Sequence, residues 1–191
     1  MKLIELIKKN RSYRRFDASV PVPQEEILKW INLARLSPSA KNVQSLRYII
    51  VNDKNTSKEI FPLLTWAGYL KDWDGPIEAE RPAAYLVILN DEALNKNYYC
   101  DDGIASQSIL LGAVDSGFGG CIVAAIQKDK LRKILNITPN YKIIHIIALG
   151  KPIENVIIDE ISDKDIKYWR DKEQNHHVPK RNINDIVIKK M

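Results

Sequence analysis

The sequence predicts a single domain that mixes α-helices with β-strands. Its 191 residues, 45% of them hydrophobic, are enough to bury one core of ordinary size. Short runs of β-branched residues, which favour strands, alternate with segments whose apolar residues recur every three or four positions, which favours helices. No apolar run approaches the roughly eighteen residues of a membrane span, and the opening is too charged for a secretory signal. We therefore expect a cytoplasmic protein that makes no contact with membrane.

Two helices are predicted in the first forty residues. Apolar side chains spaced three and four apart over residues 3–9 indicate a short amphipathic helix. After the turn-like VPVP, Pro23 suits a first helical position, and an apolar stripe follows it. This second helix is expected to end at Ser37-Pro38.

The middle of the chain carries two strand signals. Residues 46–51 and 84–89 are β-branched and aromatic, and the first run is bounded by Asn52-Asp53. Between them, residues 65–76 mix aromatic side chains with glycine and aspartate and show no clear period. We expect a helical piece combined with a surface loop there.

The next segment alternates helices and strands. A largely buried helix is predicted within 99–115, a strand at 121–125 and a helix at 127–135. Residues 143–149 are apolar on both faces, which is typical of a central strand. His145 lies in that strand, so we expect a packed or hydrogen-bonded side chain rather than a catalyst.

The chain becomes polar after residue 150. Residues 151–191 are too polar to form a domain alone and finish on a strand-like DIVIKK. This C-terminal arm either wraps its own domain or reaches a partner subunit. We treat 1–191 as one domain with 151–191 as the extended arm.

Charge and cysteine usage exclude several classes of protein. The net charge of +5 is scattered among acids, which disfavours nucleic-acid binding but is compatible with a phosphate-bearing cofactor. Cys100 and Cys121 lack metal or redox spacing, so we expect two small buried hydrophobes. The adjacent His176 and His177 have no third ligand at helical spacing, so no metal site is predicted.

Three polar clusters stand out because the signatures of hydrolases, kinases and Rossmann enzymes are missing. Residues 11–16 (RSYRRF) carry guanidiniums and a hydroxyl suited to phosphate, unless they form a solvated basic turn. Residues 37–44 (SPSAKNVQ) carry two carboxamides that could match a flavin pyrimidine edge, unless they only cap and turn. Residues 178–181 (VPKR) are a basic pair that could equally serve solubility.

Together these clusters resemble the nitroreductase family. RSYRRF is similar to its RRSxRxF phosphate motif and SPSAKNVQ to its PSxxNxQ loop, while GFGGCIVAAIQKDKLRKIL, ALGKP and VPKR resemble its later motifs in order and spacing. The resemblance implies an FMN site, with Arg11, Ser12, Lys180 and Arg181 at the phosphate and Arg14 at the flavin N1/O2 edge. It also implies contacts to the same flavin, some from the other subunit, from Ser39, Ala40, Asn42 and Gln44, with the backbone of Ala124 and Ala125 near N5.

The resemblance further implies an α+β fold, with a mostly antiparallel central sheet flanked by helices and a C-terminal arm exchanged between the subunits of a homodimer. The implied activity is FMN-dependent electron transfer from NADH or NADPH to a small planar acceptor such as a nitroaromatic or quinone. Flavin N5 carries that chemistry, so no catalytic side chain is predicted. Two positions depart from the family pattern. Asn10 replaces an arginine, and Ala124 replaces a glycine, whose missing Cβ eases backbone approach to the ring.

Trp66, Tyr69 and Trp73 are separated by three and four residues and could share a helical face at the acceptor pocket. Core packing explains the same spacing. Two other functions remain open on the sequence: a flavin-binding or storage protein without turnover, and a basic interaction module without a cofactor.

Overall fold

The structure is a computed structural model that describes residues 2–161 and 165–191. Within this part of the chain the strands are β1 (Phe16–Asp17), β2 (Leu46–Val51), β3 (Ala84–Asp91), β4 (Gly119–Val123), β5 (Tyr141–Pro152), β6 (Val156–Glu160), β7 (Trp169–Arg170) and β8 (His176–Lys180). The α-helices are α1 (Leu3–Lys9), α2 (Gln24–Leu36), α3 (Lys54–Ile60), α4 (Asp101–Asp115), α5 (Lys128–Ile134) and α6 (Ile183–Ile186).

The central sheet is antiparallel throughout. β2 pairs with β3, and β3 pairs with β5. The other edge of β5 pairs with β4 over Gly119–Val123 and then with β1 through Phe16 and Asp17. This arrangement confirms the predicted α+β class and the four predicted strands of the sheet.

Helices cover both faces of the sheet because β3 and β5 are apolar on both sides. Leu86 and Ile88 of β3 lie in a core cluster with residues of α2 and α4. The alternate side chains, including Tyr85 and Val87, lie in a second cluster with α3 and α5. Since successive side chains of a strand point to opposite faces, β3 is the common wall of two cores.

Two glycines permit close approaches that a side chain would block. A Cβ at Gly112 of α4 would lie 2.6 Å from Leu33 of α2, so the glycine sets how closely the two helices pack. A Cβ at Gly120 of β4 would lie 2.5 Å from the carbonyl oxygen of Ala148 and 2.8 Å from Leu110. The close packing of β4 between β5 and α4 therefore depends on glycine.

The C-terminal arm wraps its own domain, which is one of the two predicted alternatives. β6 and β8 pair in parallel, and β7 pairs antiparallel with β8, so the arm forms a small three-stranded sheet. Residues 162–164 of the arm lie outside the described part of the chain. Exchange of the arm between subunits stays a prediction.

The prediction of a helical piece within residues 65–76 is wrong. Leu64 forms a bridge with Ile126, and the Thr65 amide donates to the Ala125 carbonyl oxygen at 3.0 Å, which draws the chain along the end of β4. Ala67 and Gly75 then adopt positive φ angles of 39° and 120°, which are incompatible with a right-handed helix.

Other expectations need smaller corrections. The prediction of a strand at DIVIKK is wrong. Asn182 caps the short helix α6, and no regular structure follows Ile186. Cys100 is exposed, whereas Cys121 is buried as expected. Pro23 is the N-cap of α2 rather than its first residue. Helix α3 is not predicted from the sequence. Its N-cap, Asp53, accepts a hydrogen bond from the Thr56 amide at 2.8 Å.

None of the helices within the described residues is long and apolar enough to cross a lipid bilayer.

We expect Gly120→Ala to destabilise the fold by about 1–3 kcal/mol, the usual cost of overpacking a tight site. Gly103→Ala is the matched control, because a Cβ at this position of α4 meets nothing within 4 Å. Alanine is the better helix former, so the control should be stabilised by roughly 0.5–1 kcal/mol. Urea unfolding of both variants at one protein concentration checks this, and equal stability of the two would contradict it.

Candidate functional site

Residues 10–14 run beside β4 and connect it to helix α1. Ser12 forms a bridge with Gly120, and the Tyr13 amide donates to the Gly120 carbonyl oxygen at 3.1 Å. The Arg11 guanidinium donates to the carbonyl oxygens of Ile7 at 2.9 Å and Asn10 at 2.7 Å, so it caps the end of α1. Burial lowers the pKa of Arg11, and Tyr13 opposes this shift. An arginine remains a cation at neutral pH, so Arg11 still offers positive charge here.

Arg14 is held by the C-terminal arm. Its Nη1 donates to the carbonyl oxygen of Ser12 at 3.1 Å and contacts Nε2 of His176 at 3.2 Å. The guanidinium also lies over the ring of Tyr168, 4.9 Å from its centroid. The arm therefore fixes the direction of this side chain.

A buried carboxylate joins the arm to the first segment. Glu154, whose side chain is fully buried, accepts from the backbone N–H of Arg14 at 2.9 Å and from Nη2 of Arg170 at 2.6 Å. Arg170 in turn lies over the ring of Trp73 at 4.2 Å. The ion pair with Arg170 neutralises the buried carboxylate within the arm, and the hydrogen bond from the Arg14 backbone joins the arm to the domain.

The two adjacent histidines have opposite surroundings. Burial lowers the pKa of His176 to about 4, helped by Arg14 and Arg170 and opposed by Glu154. His176 is therefore neutral at pH 7 and can accept from Arg14 through Nε2. Burial also lowers the pKa of His177, but contacts at 2.8 Å to Asp159 and 3.2 Å to Asp171 outweigh it and raise the pKa overall.

The three aromatic residues of the predicted acceptor pocket do not share one environment. Trp66 is buried in the core and stacks on Phe61, which fits the alternative of core packing. Tyr69 is 48% exposed and packs against Tyr168, with 4.9 Å between ring centroids. Trp73 is half-buried under Arg170. Only Tyr69 and Trp73 remain candidates for the rim of a pocket.

Ala124 and Ala125 follow β4 directly and are exposed. The Ala125 carbonyl accepts from Thr65, so the aromatic segment begins beside them. Ser12 thus lies beside the start of β4 and the aromatic segment begins beside its end, while the arm contacts both segments through Arg14 and Tyr69.

The loop of residues 37–44 is anchored to the start of α4. Asp101 accepts from Ser39 Oγ at 2.6 Å and from the Ala40 amide at 2.9 Å, and Ser39 Oγ accepts from the Gln44 amide at 3.0 Å. The Gln44 carboxamide donates to Asn42 Oδ1 at 3.1 Å, so the two predicted amides meet each other. A cleft of about 150 Å³ opens beside Ser39 and Gln44.

Helix α4 is the common support of the first two clusters. The Asn10 carboxamide donates to Gln107 Oε1 at 3.2 Å, and Ser37 shares a hydrogen bond of 2.7 Å with Ser108. Asn10 thus uses its side chain to attach α1 to the helix. This contact gives the departure from the family's arginine a structural role.

Lys180 and Arg181 lie exposed at the end of β8. Lys180 lies four positions after His176, and this offset corresponds to about 13 Å along an extended strand. Among the described residues no hydrogen bond links these two cations to Arg11 or Ser12, so a common phosphate site remains a prediction.

Sequence reasoning missed the residues that position Arg14 and the loop: Asp101, Glu154, Tyr168, Arg170 and the role of His176. The paired histidines were a signal, but they were considered only as metal ligands. The described residues hold no group of three His, Cys, Asp or Glu side chains arranged for a metal ion.

A buried Asp-His-Ser arrangement does not form a hydrolytic site. His145 Nε2 lies 2.8 Å from Ser106 Oγ, and Nδ1 lies 3.9 Å from Asp102. Ser106 is 0% exposed, so no substrate reaches it, and burial lowers the pKa of His145. The predicted role of His145 as a packed, hydrogen-bonded residue is confirmed.

We expect the three histidines to titrate separately in a proton NMR titration of their ring signals. His177 should titrate above its ordinary value of about 6.5, His145 below it, and His176 near about 4. A raised pKa means that His177 stabilises the arm below pH 6.5 and loses this contribution as the pH rises through its folded pKa. His177→Gln should remove that part of the pH dependence, and a His176 signal that titrates above 6.5 would contradict the neutral acceptor.

Known proteins match this chain over most of its length. The profile of the Nitroreductase family matches residues 7–151. A protein of Methanothermobacter thermautotrophicus, provisionally named an NADH dehydrogenase/NAD(P)H nitroreductase, is 28% identical over 172 residues, which cover 86% of this chain and 85% of the relative.

Solved structures agree. A nitroreductase family protein from Clostridium novyi NT has a TM-score of 0.65 and 27% identity, over 80% of this chain and 86% of its own. A protein from Exiguobacterium sibiricum 255-15 that was solved with FMN has a TM-score of 0.69 at 18% identity, over 89% of this chain and 98% of its own, and shows likeness of fold. Because the profile spans most of the sequence and includes residues 11–14, 37–44 and 124–125, the chain belongs to the nitroreductase family.

Proposed function

We propose that this chain is an FMN-dependent oxidoreductase that passes two electrons from NADH or NADPH to a small planar acceptor, such as a nitroaromatic or a quinone. The observation that carries the proposal is the fixed cation Arg14, which the arm holds and whose segment runs beside β4 at Gly120. The family match and the relative's NAD(P)H nitroreductase name support it.

The donors in the first segment fit an anionic cofactor. Arg11 uses two of its N–H donors to bond the end of α1. Arg14 uses only one nitrogen, Nη1, to contact Ser12 and His176. Each guanidinium therefore retains N–H groups for a ligand. With the Ser12 hydroxyl they would hold the phosphate and pyrimidine edge, and Lys180 and Arg181 would add charge. When bound, FMN would supply the hydride-accepting N5.

The remaining residues would orient the flavin and shield it. Asn42 and Gln44 would offer carboxamides to the ring, from this chain or its partner, while Ser39 and Ala40 shape their loop. Exposed Tyr69 and half-buried Trp73 would line the acceptor pocket, where aromatic faces exclude water and stack on a flat molecule.

A homodimer would complete the site. Leu33 and Leu36 of α2 are 43% and 65% exposed, and Leu3 and Ile4 of α1 are 68% and 56% exposed. Exposed apolar side chains on two helices that both pack against α4 favour a partner surface, and a second copy of the chain is the simplest occupant. In that dimer the C-terminal arm would be exchanged through its last residues, 181–191, which are exposed in this structure and would reach the partner subunit.

The absorption spectrum of the purified protein, before and after addition of FMN, tests cofactor binding, and stopped-flow kinetics test turnover. We expect a flavin spectrum that bleaches with NADH or NADPH and returns when a quinone is added. A flavin that binds but is not reduced would favour storage, and a protein that stays colourless with FMN would overturn the proposal.

Arg11→Ala should weaken FMN binding by about 1.5–3 kcal/mol, the range for a hydrogen bond to a charged group. Riboflavin, which lacks the phosphate, should bind the variant and the parent protein equally. Lys130→Ala, on the exposed surface of α5, is the control for loss of one positive charge. Equal losses for both ligands would show that Arg11 acts through α1 and not through the phosphate.

Leu36→Glu should shift the protein from a dimer, twice the 21.9 kDa chain, towards a monomer in sedimentation velocity. The inserted charge would have to be desolvated in the interface. Leu94→Glu, at a residue 53% exposed after β3, is the matched control. A dimer that tolerates Leu36→Glu and dissociates with Leu94→Glu would place the interface elsewhere.

A further inference from the structure

A larger cavity lies at the opposite end of β2 from the Ser39–Gln44 loop. Its volume is about 450 Å³, and it opens between the turn after β1, the start of α3 and the start of β3. Sites for small organic molecules commonly measure about 300–1,000 Å³. None of the residues assigned above to the flavin or the acceptor lines it.

The floor of this cavity is apolar and ends in a hydroxyl. Tyr85 of β3 is 1% exposed, and Pro82 and Ala83 lie beside it. Burial raises the pKa of Tyr85, with Arg81 opposing the shift, so the phenol stays protonated and able to donate. A flat apolar ligand could therefore rest on this floor.

The wall carries a cation without a protein counter-ion. The Arg81 guanidinium lies 4.0 Å over the ring of Phe61, and in residues 2–161 and 165–191 it forms no ion pair with a carboxylate. Its Nε is buried without a hydrogen-bond partner, and so is Ser57 Oγ on the same cavity. Neither atom is accessible to solvent, so a ligand in the cavity would meet Arg81 through its Nη groups, which form no hydrogen bond within the described residues.

Most of the other charged side chains that line the cavity are positive, like Arg81. Lys54 and Lys58 line the cavity with Arg81, and the one carboxylate of the lining, Glu78, already faces Lys58 at 3.8 Å. The cavity is therefore electropositive. An arginine head held by an aromatic ring presents a planar pair of donors that matches a carboxylate.

We propose that this cavity binds a small organic anion, with its carboxylate on the Arg81 guanidinium and its apolar body on the floor of Pro82, Ala83 and Tyr85. The site is independent of the flavin, so it would be occupied in the cofactor-loaded enzyme. Its chemistry selects a ligand with both a carboxylate and a flat apolar part.

Benzoate is the probe and benzamide its neutral isostere, titrated into FMN-loaded protein labelled for NMR. We expect benzoate to shift the amide signals of Ser57, Arg81 and Ala83 and to leave the flavin absorbance unchanged. Benzamide should bind at least tenfold more weakly. Inorganic phosphate should also bind weakly, because it cannot use the apolar floor, and phosphate binding as tight as benzoate would overturn the organic-ligand assignment.

Arg81→Gln should weaken benzoate binding at least tenfold, and Lys96→Gln, an exposed lysine outside the cavity, should leave it unchanged. Ala83→Leu fills the cavity while keeping the guanidinium, and it should abolish binding even if Arg81→Gln folds poorly. Benzoate affinity that is unaffected by both cavity variants, or shifts confined to Ala124 and Ala125 with a changed flavin spectrum, would refute the site.

Discussion

The burial of β5 on both faces is the constraint on which the candidate site depends. The strand runs from Tyr141 to Pro152 and pairs with β3 along one edge and with β4 and then β1 along the other. A one-residue slip would move every side chain of the strand to the opposite face, where the close-packed core is shaped for a different set. Its register therefore fixes where β4 ends, just before Ala124, and where Glu154, two residues beyond β5, meets the backbone of Arg14.

Helix α4 provides a second fixed reference. The helix packs on the sheet through one face and meets both polar clusters at its edge, through Asp101 at its start and Gln107 and Ser108 further along. Asp101 is 5% exposed, and its two oxygens are used by Ser39 and Ala40. These bonds support a loop in which Lys41, Asn42 and Gln44 all have positive φ angles. A non-glycine backbone in that region needs such support, because it carries steric strain.

Sequence reasoning succeeded where one element determines its own pattern. The strand at 46–51 followed from its β-branched and aromatic residues and the Asn52-Asp53 after them, the buried strand at 143–149 from apolar residues on both faces, and the family from motifs in order. It failed where distant contacts decide the outcome. No local pattern announces that Thr65 binds Ala125, which removes the helix expected within 65–76. Likewise, Glu154 lies in an ordinary polar stretch, and only the fold brings it to Arg14 and Arg170.

The way Arg14 is held explains why its charge remains available. Glu154 bonds to the backbone of Arg14 and directs its carboxylate to Arg170, so the nearest buried acid neutralises a different guanidinium. The partners of the Arg14 side chain are a carbonyl oxygen, a tyrosine ring and the imidazole of His176. The low pKa of His176, about 4, keeps that imidazole uncharged and able to accept. Arg14 is thus fixed in direction by neutral groups, and within the described residues no carboxylate pairs with its guanidinium. A carboxylate in the place of His176 would hold the arginine as firmly but would cancel that charge.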